Sequence, residues 1–191
     1  MLLDRNHAVP QLVGDPNDFL MIAGLAGTAW ELASITNDGD TLYALGGAMG
    51  AALSMGLGLA LAQPTRRVLV ATGDGELLMN VSALATVGII KPPNLAILCV
   101  DNGHYGETGF QKSHTSLGVD LERMAMGAGI SSTMTIERED QLAAGAKMLR
   151  DANSTRFVVV RVSTIDPPKD KLSLDAAAKR VRFRKALLAH A

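Results

Sequence analysis

The chain has one cysteine, Cys99, set inside an apolar run. No internal disulfide framework can form, and a reducing, cytoplasmic setting is expected. The absence of a cysteine cluster also excludes an iron–sulfur centre in this chain. An excess of either charge is lacking too: 18 Lys and Arg stand against 19 Asp and Glu, for a net charge of −1. Acids and bases are mixed along the chain, which argues against a nucleic-acid partner. The one basic concentration, Lys179, Arg180, Arg182, Arg184 and Lys185, reads as the solvated face of a helix. There is no Walker lysine motif and no Gly-x-Gly-x-x-Gly fingerprint, so the common nucleotide folds lose their signature. Asp4, Arg5 and His7 interrupt the first residues, against a signal-peptide reading. Residues 41–63 carry no charge and reach the length of a membrane span. Their five glycines, one pair adjacent, favour a short strand, a turn and a buried helix instead, so no membrane partner is expected.

What is present suits one α/β domain. The length is 191 residues and 48% are hydrophobic, enough for a sizeable core. Apolar runs of strand length occur at 19–23, 42–45, 67–71, 95–100, 133–136 and 157–162. They are rich in Val, Ile and Leu with little polar alternation, as strands covered on both faces are. Helical patterns lie between them at 28–34, 49–62, 77–90, 121–127 and 141–151. Strand and helix in alternation imply right-handed crossovers and a doubly wound, parallel, six-stranded sheet with helices on both faces. Ligands of such sheets collect at the C-terminal strand edge, where Gly24, Gly46, Gly73 and Asn102 all fall. Residues 1–165 are expected to form the domain, and 166–191 a linker and final helix. A stripe of Leu174, Ala177, Ala178, Val181 and Leu188 should pack that helix on the domain or on a partner.

One stretch raises a chemical question. "VATGDGELLMN", residues 70–80, ends a buried run on Gly73-Asp74-Gly75. Such a triplet is either a turn or a metal and phosphate site. The second reading needs another ligand, and Asn102 is placed to supply it. One helix crosses the sheet after Asp74 and the next strand returns to the same edge, so Asp74 and Asn102 stand at the tips of sequential strands. A helix begins there, with free N–H groups and a positive dipole end, and the glycines admit an anion close to the backbone. Mg2+ takes oxygen ligands, few of them from protein, and completes its shell with phosphate oxygens. Asp74, Asn102 and the main-chain oxygen of His104 would suffice. Glu76 is expected to cap the helix start, its carboxylate turned away from the anion. Asp101 is expected to be a hydrogen-bonding turn former.

"GDGELLMN" followed by "DN" resembles the diphosphate-binding motif of thiamine diphosphate enzymes. The first Asn of that motif is Asp101 here; the second, Asn102, is present. "YALGGAMGAALSMGLGLALA" is similar to the family's Gly-Ser-Met-Gly segment, with Met49 where a bulky residue props the bent cofactor. On its own pattern Met49 would be ordinary core. "IAGLAGTAWEL" resembles the glycine turn after the family's first strand, and the resemblance implies contact with the diphosphate through backbone groups near Gly24 to Thr28. The likeness extends over about residues 18–162 and is directed in particular at the small β subunits of sulfopyruvate and phosphonopyruvate decarboxylase-type enzymes. It implies that thiamine diphosphate and Mg2+ are bound, with Gly24, Gly46, Gly47, Met49, Gly73, Asp74, Gly75, Glu76, Asn102, His104 and Tyr105 at the cofactor and Asp74, Asn102 and His104 on the metal. It implies further that a glutamate on a separate pyrimidine-binding subunit activates the cofactor. This chain would then be half of an active site for a small 2-oxoacid, within a dimer or hetero-tetramer. Among loop residues, His104, Tyr105, Glu107, Gln111 and His114 are candidates to face substrate. His104 and His114 could move protons, or be plain surface histidines. Relatives carry a Ser-Arg-Glu-Leu-like run where this chain has Thr28, Ala29, Trp30, Glu31 and Leu32, so an arginine is missing there. Two alternatives stay open: a carboligase or oxidoreductase component resembling acetolactate synthase, and a non-catalytic cofactor-binding module.

Overall fold

A computed structural model describes residues 2–169 and 172–189. Its centre is a six-stranded, wholly parallel sheet built from β1 (Leu20–Ala23), β2 (Leu42–Ala44), β3 (Val68–Gly73), β4 (Leu95–Asp101), β7 (Ser132–Ile136) and β8 (Arg156–Arg161). The strand order is β2-β1-β3-β4-β8-β7. A two-stranded antiparallel hairpin, β5 (His104–Tyr105) and β6 (Gln111–Lys112), stands beyond the edge. Each strand of the sheet matches an expected run to within two residues at either end.

The helices are α1 (Arg5–Val13), α2 (Gly27–Thr36), α3 (Ala52–Ala62), α4 (Asp74–Leu78), α5 (Ala83–Ile90), α6 (Leu121–Gly127), α7 (Leu142–Arg150) and α8 (Ala176–Leu188). Alternate strand residues feed two separate cores. Met21, Leu69, Leu98 and Val158 pack under α1, α2 and α7. Ile22, Val70, Ile97 and Phe157 pack under α3, α4, α5 and α6. A strand buried on both faces cannot alternate with polar residues, which is why these runs read as continuously apolar. Among the described residues no helix is long and apolar enough to cross a membrane. The uncharged 41–63 stretch divides into β2, a turn and α3.

Three expectations need correction. The 77–90 helix is two helices, α4 and α5, separated by turns over residues 79–82, and α4 begins at Asp74 itself. The helix expected from Met49 begins at Ala52, because Gly50 has a positive φ of 81° and turns the chain. The final helix docks on the domain, but not by its apolar stripe. Leu174, Ala177, Ala178, Val181 and Leu188 are exposed. Lys179 and Phe183 are buried instead. Lys179 Nζ donates to Asp38 Oδ1 at 2.5 Å and Arg182 donates to the Asp38 carbonyl at 2.7 Å, while Phe183 meets the Tyr43 ring edge-on at 5.6 Å. A buried ion pair tolerates no rotation that exposes one partner, so it sets which face turns inward. The basic cluster is therefore not uniformly a solvated face. Helix α1 was not foreseen; its signal is Asp4, whose side chain accepts from the Asn6 N–H as an N-cap.

Two glycines in α3 separate packing from propensity. A Cβ on Gly56 would overlap Val70 in the core, whereas Gly58 is exposed with nothing within 4 Å. Gly56→Ala should cost about 1–3 kcal/mol by overpacking. Gly58→Ala should stabilise by about 1 kcal/mol through helix propensity. Thermal unfolding of the two variants should therefore shift in opposite directions.

Candidate functional site

The C-terminal ends of β1, β3 and β4 open into a cavity of about 510 Å³. Strand pairing dictates the placement. Gly73 is in register with Val100 across the β3–β4 pair, so Asp74 and Asn102, one and two residues further on, emerge side by side. Both line the cavity, as do Met49, Glu76, His104 and Tyr105. Gly73 and Gly75 complete its floor. A Cβ on Gly75 would strike the Tyr105 ring, so glycine there lets the hairpin close down on the start of α4.

Asp74 is 2% exposed. Its Oδ2 accepts hydrogen bonds from the Ser113 hydroxyl and, at 3.1 Å, from Thr115 Oγ1. Thr115 also donates to Asp101 Oδ1 at 2.7 Å, and that same oxygen accepts from the Gly103 N–H at 2.9 Å. Asp101 thus forms the expected turn and in addition stands close to Asp74. Burial, opposed by the Ser113 hydrogen bond and reinforced by the Asp101 charge, raises the Asp74 pKa. Such a carboxylate wants a cation. Asn102 Oδ1 accepts from the His104 N–H at 3.0 Å, and the His104 ring Nδ1 lies 2.9 Å from the Asn102 carbonyl. The loop that carries the expected main-chain ligand is therefore bound to Asn102 itself. Among the described residues no group of three or more His, Cys, Asp or Glu side chains could hold a metal. The donor set of carboxylate, amide and main-chain oxygen is hard and sparse. It fits a Mg2+ ion that takes its remaining ligands from phosphate and water, and does not fit a closed protein cage.

Glu76 turns its carboxylate back toward the strands. Oε2 accepts from Thr72 Oγ1 at 3.1 Å and from the Gly73 N–H at 3.5 Å, and a Cβ on Gly24 would overlap it. The expected helix cap is present, and Gly24 is used to make room for it. Burial raises the Glu76 pKa. Met49 is 38% exposed and is not core; a thioether at the cavity wall is free to meet a ligand. Gly46 and Gly47 lie on the same edge but outside the cavity lining, and a Cβ on either would meet nothing within 4 Å. His114 is exposed and also outside the lining, as is Gln111, whereas Glu107 lines it. The Cys99 thiol lies buried in β4, where burial pushes its pKa well up and leaves it unreactive.

Several residues of the site carry no sequence signal. Ser113 and Thr115, in the polar stretch "QKSHTS", gain meaning only because the loop folds them onto Asp74 from 39 and 41 positions away. Arg5 likewise lines the cavity without belonging to any motif, whereas Thr28, also in the lining, lies in the glycine-turn stretch.

Comparison with known proteins agrees with this geometry. Residues 23–162 match the family model for the thiamine pyrophosphate enzyme, C-terminal TPP binding domain. Sulfopyruvate decarboxylase subunit beta of Methanothermobacter thermautotrophicus is 36% identical over 97% of this chain and 96% of its own length. The subunit of the same name from Methanocaldococcus jannaschii is 30% identical over 88% of each. Phosphonopyruvate decarboxylase of Streptomyces viridochromogenes is 33% identical over 93% of this chain, which spans 45% of that protein. Among solved structures, a putative thiamin diphosphate-dependent enzyme from Mycobacterium smegmatis shares the fold with a TM-score of 0.70 at 24% identity, covering 85% of this chain and 32% of that one.

Burial raises three carboxyls of this region, Glu31, Asp74 and Glu76, in the folded chain. The native state then holds protons more tightly than the unfolded chain. The contribution of these three groups to the stability of the metal-free protein should be fully present below the ordinary carboxylate range and be lost as pH rises through the raised values. Asp74→Asn should flatten that fall and raise the melting temperature at neutral pH, as thermal unfolding across a pH series will show.

Proposed function

Because this chain belongs to the thiamine pyrophosphate enzyme family by its C-terminal TPP binding domain, we propose that it is the diphosphate- and metal-holding subunit of a two-chain 2-oxoacid decarboxylase. The observation that carries this reading is the pairing of Asp74 with Asn102 at neighbouring strand tips in one cavity. Relatives named subunit beta, matched over nearly their whole length, support the division into two chains. Asp74, Asn102 and the His104 carbonyl would hold Mg2+, and the ion would neutralise the diphosphate of thiamine diphosphate. The backbone of Gly73 to Glu76, at the start of α4, faces the same group. Ser113 and Thr115 hold Oδ2 of the Asp74 carboxylate in place, and Met49 would support the cofactor.

When bound, the cofactor supplies an electron sink for the carbanion left as carbon dioxide departs. The residues of this chain bind and orient; Tyr105, from the hairpin, closes one side of the cavity over Gly75, and His104 offers an imidazole beside Phe110, with ring centroids 6.3 Å apart. The acid that activates the pyrimidine comes from a partner subunit with a pyrimidine-binding domain. The substrate is a small 2-oxoacid of the sulfopyruvate or phosphonopyruvate type, by likeness to the relatives.

The test is co-expression with a pyrimidine-domain chain, followed by measurement of bound cofactor and of CO2 release from a panel of 2-oxoacids. Activity should require both chains, and efficient turnover by this chain alone would refute the shared site. Asp74→Ala should abolish Mg2+-dependent cofactor binding, while unchanged affinity would remove the metal assignment.

A further inference from the structure

Met49 stands on a turn with little of its own to hold it. Gly46 and Gly50 take positive φ values of 51° and 81°, in a segment with few intrinsic backbone restraints. Two long backbone hydrogen bonds span it, from the Ala48 N–H to the Leu45 carbonyl at 3.4 Å and from the Ala51 N–H to the Ala48 carbonyl at 3.2 Å. Neither touches Met49 or Gly50. Met49 nevertheless lines the cavity, and a side chain that props a ligand is effective only when its backbone is fixed from outside.

The anchor is Asn80, at the end of the "GDGELLMN" stretch. Its Nδ2 donates to the Gly50 carbonyl at 3.0 Å and lies 3.5 Å from Ser54 Oγ, in the first turn of α3. A carbonyl only accepts, so the amide nitrogen must face Gly50. Asn80 Oδ1 is taken by the Ser82 hydroxyl at 3.0 Å, which holds the amide in that orientation. Gly50 permits the approach, because a Cβ there would stand 2.8 Å from Asn80 Cβ. The Gly50 N–H is drawn to a second residue of the same stretch. Burial raises the Glu76 pKa, opposed by Thr72 and by the N–H groups of Gly73, Leu25 and Gly50. Of these, Thr72 and Gly73 come within hydrogen-bonding distance. The Asn80 bond is therefore the one direct tether on Gly50 among the described residues.

We propose that Asn80 is the positioning residue of Met49: by gripping the Gly50 carbonyl it sets how the thioether stands in the cavity. Asn80 itself lies outside the cavity lining. The inference rests on the cofactor reading of the cavity and adds to it a residue that acts only through another. One continuous stretch then serves both ends of the ligand. Asp74 meets the metal and diphosphate, and Asn80, six positions on, holds the turn that meets the rings. Loss of Asn80 should weaken contact with the rings and leave contact with the diphosphate intact.

The test is calorimetric titration of the full chain, in Mg2+, with thiamine diphosphate and with inorganic pyrophosphate. The wild-type chain should bind thiamine diphosphate more tightly, and the difference isolates what the rings contribute. The first variant is Asn80→Asp, which keeps the shape and the bond from Ser82 but turns an acceptor toward the Gly50 carbonyl. Asn80→Ala is the second, and circular dichroism checks the folding of both. Each should lose about threefold to tenfold in affinity for thiamine diphosphate, the scale of one hydrogen bond, and keep wild-type affinity for pyrophosphate. In a Met49→Ala background the same substitutions should change neither affinity, since their effect passes through that side chain. Amide exchange of the free chain reads the tether without any ligand: residues 46–51 should exchange faster in Asn80→Asp while β3 and β4 keep their protection. Parallel losses for both ligands, or an equal loss with Met49 already removed, would reveal a general structural role and overturn the proposal. Unchanged exchange at 46–51 would overturn it as well. A wild-type chain that binds neither ligand would overturn the cofactor reading, and the proposal with it.

Discussion

The pairing of β3 with β4 is the constraint on which the rest of the molecule depends. Six residue pairs from Val68↔Leu95 to Gly73↔Val100 hold the two strands in register. That register sets Asp74 beside the 101–104 turn and leaves both at the C-terminal edge. A slip of one residue would turn each side chain to the opposite face, and the two separate cores would be exchanged for voids and clashes. Register is thus enforced by apolar packing far from the edge, and the polar edge inherits a geometry it does not have to maintain.

That division explains the price of the site. Asp74, Glu76 and Asp101 are buried close to one another, and Glu31 is buried against Arg5, the one buried cation among the cavity's described lining residues. Their desolvation opposes folding, and short hydroxyl and backbone hydrogen bonds offset only part of it. Apolar packing on both faces of the sheet is what tolerates such a cluster. An excess of buried carboxyls is unfavourable in the free chain.

The two ends of the chain act as braces. Helix α1 packs against α2 and α7, and its Arg5 reaches the cavity. Helix α8 packs on the other face beside β2, held by Lys179 on Asp38. Neither end is part of the alternating strand and helix pattern. Each is docked by a buried ion pair, and each pair ties a terminal helix to α2 or to the turn that follows it.

The sequence by itself determined the sheet, because strands covered on both faces must be continuously apolar, and that requirement is visible residue by residue. It also determined the Asp74–Asn102 pair, since one crossover between adjacent parallel strands leaves no other place for them. Met49 and Tyr105 are expected at the cavity by family resemblance, since on its own pattern Met49 reads as core; both line it. Tertiary structure alone decided what lies between these points. Ser113 and Thr115 reach Asp74 through an irregular loop, where no periodicity constrains direction. Gly24 serves Glu76, and Gly27 serves Arg5, because a missing Cβ has meaning only once its neighbour is known. The inward face of α8 followed a buried charge pair and not the apolar stripe, since an ion pair depends on a partner 141 positions away and leaves no trace in local pattern.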